Sequence, residues 1–283
     1  MSRSRRNVQW SIQRVRCQTI RRFKSSYREF FKEVVQLELV EAIKSRKSIR
    51  GYKSTPVSRE ILARVLEIAA KAPSALNTQP WKFTVLGGKV LNELKEALQK
   101  RFVEGAQLAG GFEPHRWTKE DITLQKRSLE GAESQPDFAL PPPTGVYRNR
   151  QVDLAKSLFQ LMGIAREDKA KRMEWTMRAF RFCDAPNAII IGMDEEISSF
   201  ASMFSLGAIG QTIALVALDF GLGTCIEQAS ITYPEVIRKI TGIPESQKIV
   251  AGIAIGYPDW DFPANKLESN REPLSNIATW VGV

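Results

Sequence analysis

An uncharged stretch of 21 residues, positions 198–218, is the feature that most constrains the fold of this chain. A helix of that length would be long enough to cross a membrane. The stretch contains two glycines, Gly207 and Gly210, that would let another element pack closely against it. It also contains six polar residues: Ser198, Ser199, Ser202, Ser205, Gln211 and Thr212. We therefore expect a central helix buried in a core or a subunit interface, and no membrane span.

Helical and strand patterns alternate around this stretch. Apolar residues at helical spacing follow Ser58, a residue type that commonly caps helices, and Pro73 marks the end of that helix. Short apolar runs predict four strands, at 81–86, 188–193, 223–227 and 249–255. Helical periodicity predicts further helices at 90–102, 151–165, 167–181, 234–241 and 274–281. This alternation indicates an α+β fold in which helices cover a small sheet.

Residues 104–150 contain many glycines and prolines, and they predict a long excursion with one helix near 119–130. Such excursions in compact domains are usually lids or binding loops, and a disordered insert is the alternative. The segment includes His115, the single histidine of the chain. A Ser/His/Asp triad would have to use this loop residue, and a multi-histidine zinc site cannot form. We therefore predict no metal site.

The net charge of +10 is concentrated in the first 28 residues, which hold nine of the 41 basic residues and no acidic one. The remaining chain has 32 basic against 31 acidic residues, so it lacks the overall basic footprint of a nucleic-acid-binding protein. An Arg-rich, amphipathic leader at 1–36 is typical of a mitochondrial transit peptide. We predict a mitochondrial location. The alternatives are a retained basic surface or lipid-binding helix and a cytoplasmic location.

The three cysteines, Cys17, Cys183 and Cys225, are far apart in sequence and form no CxxC motif. Their odd number and wide spacing argue against a disulfide framework and favour a reducing compartment. Because Cys225 falls at a predicted strand end, we expect it to be a small buried packing residue rather than a catalytic one.

The sequence lacks a P-loop, a nucleophile elbow and a GxGxxG motif, so the signals of Walker NTPases, α/β-hydrolases and Rossmann dehydrogenases are missing. It does offer basic residues suited to an anion. Arg46, Lys47 and Arg50 surround Ser48, and Arg271 lies in the C-terminal tail. Guanidinium groups together with a hydroxyl suit a terminal phosphate, although each cation taken alone would also suit a solvated surface.

Four segments together resemble the FMN-dependent nitroreductase family, over nearly everything from residue 37 to the C-terminus. Residues 46–50, RKSIR, are similar to the family's opening flavin-phosphate motif. Residues 72–81, APSALNTQPW, resemble its APSxxNxQPW loop, which reaches the flavin bound mainly by the other subunit. Residues 221–228, GLGTCIEQ, resemble the strand end that lies along the flavin ring. Residues 256–273 resemble the closing segment, whose arginine returns to the phosphate.

The resemblance implies a nitroreductase-like α+β domain over residues 37–283, with a small mixed sheet covered by helices. It also implies a lid over 104–150, and a C-terminal extension that embraces the partner subunit of a homodimer. NADH or NADPH would reduce FMN, which would then reduce a nitroaromatic, quinone or enone in a ping-pong reaction. The long insertion with residues 147–150, YRNR, resembles the branch related to 4-nitrobenzoate reductases, although Ile226 stands where proline is commoner.

The resemblance assigns cofactor-binding roles but no catalytic side chain, because the flavin N5 carries the hydride. Asn77 and Gln79 are amide partners for the pyrimidine edge, and a backbone N–H of Glu227 or Gln228 would meet N5. Arg148 would stabilise the reduced ring, and Phe112, Trp117 and Trp175 would either stack on an aromatic substrate or pack internally. The predicted FMN-binding residues are Arg46, Lys47, Ser48, Arg50, Pro73, Ser74, Ala75, Asn77, Gln79, Thr224, Cys225, Ile226, Glu227 and Arg271.

The sequence is also compatible with two alternative functions. One is an enzyme of the same fold with different flavin chemistry, either a reductive dehalogenase or a flavin-modifying enzyme. The other is a non-enzymatic, basic, membrane- or nucleic-acid-associated protein that keeps its leader, for which binding would depend strongly on salt. The near-neutral body of the chain argues against the second alternative.

Overall fold

The computed structural model describes residues 38–108, 137 and 143–283. The strands in these ranges are β1 (Lys82–Gly87), β2 (Asn187–Asp194), β3 (Gly223–Glu227) and β4 (Gln247–Gly256). The α-helices are α1 (Leu39–Ser45), α2 (Arg59–Ala69), α3 (Gly88–Leu108), α4 (Gly145–Leu161), α5 (Lys169–Phe180), α6 (Phe200–Asp219), α7 (Pro234–Thr241) and α8 (Leu274–Ile277). The leader, Phe112, His115, Trp117 and the helix predicted near 119–130 lie outside the described residues, so these predictions stay untested.

The four strands form one sheet in the order β1-β2-β4-β3. Every neighbouring pair in this order is antiparallel. Within the described ranges, parallel pairing occurs only where Ser48 forms an isolated bridge with Thr224 of β3. The predicted mixture of parallel and antiparallel pairing is therefore limited, in the described ranges, to this bridge at the outer edge of β3. The segment there is too short to form a fifth strand.

Helices cover both faces of the sheet, which explains why β2 is an almost continuous apolar run. Successive side chains of β2 point to opposite faces. Ile190 faces a cluster formed with α3 and α7, while Ile189 and Ile191 face a cluster formed with α2 and α6. The helix residues that fill the two clusters include Leu91, Leu94, Leu98 and Ile237 on the first face and Leu62, Val65, Ile209 and Ile213 on the second.

The helix α6 confirms the prediction of a central core helix for the uncharged stretch. Its length and its apolar composition would also suit a membrane span. Several of its side chains, however, are fully buried against the sheet, including Ile209, Ile213 and Ala217. Burial of this kind is the reason that a core helix needs no charged residue.

Three predicted helix boundaries need correction. The last helix is predicted at 274–281 but ends at Ile277, where the backbone of Ala278 is extended. Trp280 and Val281 are 68% and 84% exposed, so no buried apolar face sustains the helix further. The described part of the predicted lid is also more regular than expected, because α3 continues to Leu108 and α4 begins at Gly145.

Candidate functional site

The predicted phosphate motif runs along the outer edge of β3. Ser48 bridges Thr224, and the N–H of Ile49 donates to the carbonyl oxygen of Thr224 at 2.9 Å. A Cβ at Gly223 would lie 2.4 Å from the Ile49 side chain, so glycine permits this close approach. The structure thus brings two predicted site segments, 46–50 and 224–228, into direct contact.

Asn265 holds this motif against the closing segment of the chain. Its side-chain oxygen accepts from the N–H groups of Arg50 at 2.7 Å and Gly51 at 3.2 Å. Its amide nitrogen donates to the carbonyl oxygens of Gly51 at 2.8 Å and Asp259 at 2.7 Å. Asn265 is 1% exposed, and its amide makes four hydrogen bonds to the backbone. The sequence identified Asn265 as part of a motif but gave it no role.

Arg178 supports the same motif from α5, and no sequence motif pointed to it. Its guanidinium donates to the carbonyl oxygen of Arg50 at 2.9 Å and to that of Cys183 at 3.2 Å. It also forms an ion pair with Asp184 and lies 4.7 Å from the ring centroid of Phe262. Arg178 therefore fixes the backbone beside Arg50 while its own charge is neutralised by Asp184.

The cations of the motif, in contrast, have no carboxylate partner among the described residues. Arg46, Lys47 and Arg50 are half-buried. The side chains of Arg46 and Lys47 make no hydrogen bond or ion pair with the part of the chain that the structure describes. The guanidinium of Arg50 donates only a long bond, 3.4 Å, to the carbonyl oxygen of Ser48. Three neighbouring, half-buried cations without a counter-anion suit an anionic ligand.

The loop at 72–81 is anchored to the N-terminal half of α6. The N–H of Ala75 donates to the hydroxyl of Ser205 at 3.2 Å. The hydroxyl of Ser74 accepts from the N–H of Gln79 at 3.0 Å and closes the loop. The Gln79 amide donates to the backbone and side-chain oxygens of Asn77 at 3.2 and 3.3 Å. Both amide side chains are exposed, as a role in contacting a ligand would require.

The backbone of this loop is strained. Leu76, Asn77 and Gln79 have φ angles of 51°, 58° and 48°, in the left-handed region that residues other than glycine rarely adopt. Leu76 is also 98% exposed. Strain of about 1–3 kcal/mol per residue persists only where the surroundings hold it, and it clusters at ligand sites. The hydrogen bonds to Ser74 and Ser205 provide that restraint.

Strand β3 separates its side chains between two environments. Cys225 and Glu227 point inward and are 6% and 9% exposed, whereas Ile226 on the opposite face is 47% exposed. A ligand on the exposed face would therefore contact Ile226 and the strand backbone, as the predicted backbone contacts require. Cys225 belongs to the core cluster beside α3 and α7, which confirms its predicted packing role.

The inward-facing groups perturb one another. Burial raises the pKa of Glu227 and of Tyr52 well above their ordinary values, because it disfavours the charged forms. A hydrogen bond with Cys225 and burial raise the pKa of Cys183. The same hydrogen bond, together with the charge of Arg50, lowers the pKa of Cys225. Arg50 therefore acts electrostatically on the inward-facing groups of β3.

Three further predicted residues lie on the C-terminal tail and on the helices α4 and α5. Arg271 is exposed, and it donates to Ser269 and Asn270 of its own tail, so its return to the phosphate stays a prediction. Arg148 donates to Gln151 within α4. Trp175 is half-buried on α5, and its predicted stacking on a substrate is untested.

The sequence matches the Nitroreductase family over residues 43–257. It is 30% identical over 241 residues to the nitrobenzene nitroreductase of Ectopseudomonas oleovorans, covering 85% of this chain and 96% of that protein. The 4-nitrobenzoate reductase of Pseudomonas putida is 29% identical, covering 85% of this chain and 94% of that protein. The solved FMN and NADPH-dependent nitroreductase NfnB from Sphigopyxis sp. strain HMH is 28% identical and superposes with a TM-score of 0.74 over 87% of this chain and 100% of that one.

The chain therefore belongs to the nitroreductase family. This confirms the resemblance drawn from the four segments, the nitroreductase-like fold and the prediction that the chain is an oxidoreductase. The relatives named for nitrobenzene and 4-nitrobenzoate also support the predicted branch.

Proposed function

We propose that this protein is an FMN-dependent oxidoreductase that uses NADH or NADPH to reduce electron-poor acceptors such as nitroaromatics, quinones or enones. The observation that carries the proposal is the group of half-buried cations Arg46, Lys47 and Arg50, which form no ion pair with the described residues and belong to the segment along the outer edge of β3. The cofactor and donor are those named for the similar NfnB structure.

The residues present fit FMN. The cations and the hydroxyl of Ser48 would hold the phosphate, and the backbone of residues 224–228 would border the ring. Asn77 and Gln79, carried by the exposed loop at 72–81, would offer amide groups to its polar edge. When bound, FMN supplies a ring that accepts a hydride from the donor and passes it to the acceptor. The protein then needs to bind and orient the donor and the acceptor and to exclude water, and it needs no nucleophilic side chain.

We expect a ping-pong sequence, because the donor and the acceptor would both have to reach the same face of the ring, the one not covered by Ile226 and the strand backbone. The donor product must therefore leave before the acceptor enters. A reductive dehalogenase or a flavin-modifying enzyme of this fold remains the alternative, although the relatives named for nitroarenes favour nitro compounds as acceptors.

The absorption spectrum of the purified protein tests the proposal directly. We expect a yellow protein with bound flavin that resists dialysis, is bleached by NADPH or NADH without oxygen, and regains colour when 4-nitrobenzoate is added. Initial rates at several acceptor concentrations should give parallel double-reciprocal lines. A colourless protein that does not retain added FMN would refute the proposal, and re-oxidation by halophenols but not by nitroarenes would favour the dehalogenase.

We further propose that the protein works as a homodimer in which a second copy covers the exposed apolar face of α6. Phe200 and Phe204 lie one turn apart on this helix and are 88% and 74% exposed. Leu76 of the anchored loop is 98% exposed, and Ile226 is 47% exposed. Apolar residues exposed together in this way mark interaction surfaces. A dimer through this face would bring the loop of one copy to the β3 edge of the other.

Replacement of Phe204 by glutamate should raise the dimer dissociation constant at least ~100-fold, because it would bury a charge among apolar groups. Size-exclusion chromatography with light scattering should then report a monomer, and the monomer should lose FMN. The control is Val90→Glu on α3, which packs on the opposite face of the sheet and has a 44% exposed side chain. An unchanged dimer in Phe204→Glu would contradict this assembly.

A further inference from the structure

Two cysteines and a glutamate meet in the core beneath β3. The sulfur atoms of Cys183 and Cys225 and a carboxylate oxygen of Glu227 lie within 4.8 Å of one another. Cys225 and Glu227 are two residues apart on the same face of the strand. Cys183 approaches them from the turn between α5 and β2. The three side chains are 5%, 6% and 9% exposed, so the cluster is shielded from water.

One oxygen of this cluster has no partner. Glu227 accepts a hydrogen bond from Cys183 on Oε1 at 2.7 Å, but its Oε2 is buried without a partner among the described residues. The hydroxyl of Ser230, also fully buried, is likewise without a partner there. It lies next to Gly252, the residue that pairs with Glu227 across the sheet. An unpartnered buried polar atom costs about 1–3 kcal/mol, so such a group in a native core is expected to meet a water molecule or an ion.

We propose that Cys183, Cys225 and Glu227 form a binding site for a thiophilic divalent metal ion, with zinc as the expected occupant. Two sulfurs and one oxygen are a ligand set that zinc prefers, with Zn–S near ~2.3 Å and Zn–O near ~2.0 Å. In a four-coordinate tetrahedral site, completed by a water molecule, these lengths place the ligand atoms about 3.5–3.8 Å apart. The three ligand atoms lie within 4.8 Å of one another, so a small rearrangement, which includes lengthening the 2.7 Å contact between Cys183 Sγ and Glu227 Oε1, would reach this geometry.

The charges of the site balance when a divalent ion is bound. Binding replaces three protons, one from each thiol and one from the carboxyl group, and leaves three negative charges. The metal ion supplies two positive charges. Arg50, whose charge acts on Cys225 and Glu227 across the strand, supplies the third. A buried site with no net charge avoids the large penalty of an uncompensated ion in the core.

The site would also hold a strained turn in place. Phe182, Cys183 and Asp184 have consecutive φ angles of 54°, 50° and 60°. Ion pairs from Arg178 and Arg181 restrain Asp184 on the outer side of this turn. A metal ion on Cys183 would restrain it on the inner side and would tie it to β3. The ion is thus expected to stabilise the strand that carries the proposed flavin contacts, without taking part in the reaction.

The sequence analysis predicted no metal site because the chain has a single histidine. Cys183 and Glu227 are 44 residues apart, and no sequence motif joins them. The proposal does not rest on flavin binding, since the three ligands point to the face of β3 opposite Ile226. The two proposals can therefore fail separately.

Elemental analysis and cobalt titration of the full-length protein test this site. We expect about one zinc ion per chain after desalting. Cobalt added to the metal-free protein should give a thiolate-to-cobalt charge-transfer band that saturates at one equivalent. Cys183→Ser and Cys225→Ser should each weaken zinc binding more than tenfold and remove most of the band. The matched control is Cys17→Ser in the leader, which should leave both unchanged.

A measurement on the unaltered protein guards against variants that fail to fold. Zinc should protect Cys183 and Cys225, but not Cys17, from alkylation detected by peptide mass spectrometry in partly denatured protein. Absence of the cobalt band in the folded protein, or alkylation unaffected by zinc, would overturn the proposal. A disulfide between Cys183 and Cys225 in protein purified without reductant would overturn it as well.

Discussion

Replacing Asn265 by alanine is expected to lower the free energy of unfolding by about 2–4 kcal/mol, which corresponds to about 6–12 °C in Tm. The amide of Asn265 makes four hydrogen bonds to backbone groups of Arg50, Gly51 and Asp259. The side chain is buried, so water cannot readily replace the lost partners. Chemical denaturation followed by fluorescence measures the loss.

The same variant should also weaken FMN binding, because Asn265 sets the backbone position of Arg50. Asn265→Asp distinguishes the accepted from the donated hydrogen bonds. It keeps an acceptor for the N–H groups of Arg50 and Gly51 but removes the two donated bonds. It should be no more stable than the alanine variant, because its second carboxylate oxygen would face the carbonyl oxygens of Gly51 and Asp259 in a buried site. Asn92→Ala, at an exposed position of α3, provides the matched control and should change stability little. Equal stability of Asn265→Ala and the wild type would show that the four bonds do not hold the motif.

Local signals predicted the helices and strands better than they predicted the site. The helix α7 has the boundaries expected from sequence, Pro234–Thr241, because proline suits its first turn and Gly242, with φ of 75°, ends it. Ser58 accepts from the N–H of Ile61 and caps α2 as predicted. The terminal helix was predicted too long because its apolar pattern has no buried surface to pack against. Neighbouring residues in the sequence do not reveal that missing surface.

The site required information from residues that are distant in sequence. Asn265 and Arg50 are 215 residues apart, and Arg178 meets the carbonyl oxygen of Arg50 from 128 residues away. A resemblance to known motifs identified 46–50 and 221–228 as parts of one site, and the structure brings these segments together. It gave no indication of Arg178, because an arginine on an amphipathic helix is ordinarily a surface residue.

The inward face of β3 shows the same limit. The apolar pattern correctly placed Cys225 in the core, since a small thiol is a common packing residue there. Its neighbours Cys183 and Glu227 come from a turn and from the same strand, and only the folded chain places their polar atoms together. Strand periodicity alone predicts an apolar residue on this inward face, and it therefore does not predict the buried carboxyl group of Glu227.

Substitution of both Arg46 and Arg50 by alanine is expected to raise the Kd for FMN at least ~100-fold. Charge-assisted hydrogen bonds to a phosphate contribute about 1.5–3 kcal/mol each, and each 1.4 kcal/mol is a factor of ten in affinity. The two side chains form no ion pair with a carboxylate of the described chain, and burial raises the pKa of Glu227, so their removal should change the stability of the metal-free protein little. Fluorescence titration of the flavin-free protein measures the affinity, and Arg59→Ala, an exposed position on α2, controls for the loss of positive charge.

Riboflavin, which lacks the phosphate, shows where the two arginines act. The wild type should bind FMN much more tightly than riboflavin, and this preference should weaken as salt is added. The double variant should lose the preference and its salt dependence while binding riboflavin as the wild type does. If the double variant weakened FMN and riboflavin equally, the arginines would act on the ring or on the fold. The phosphate would then have to be held elsewhere, with Arg271 of the tail as the next residue to replace.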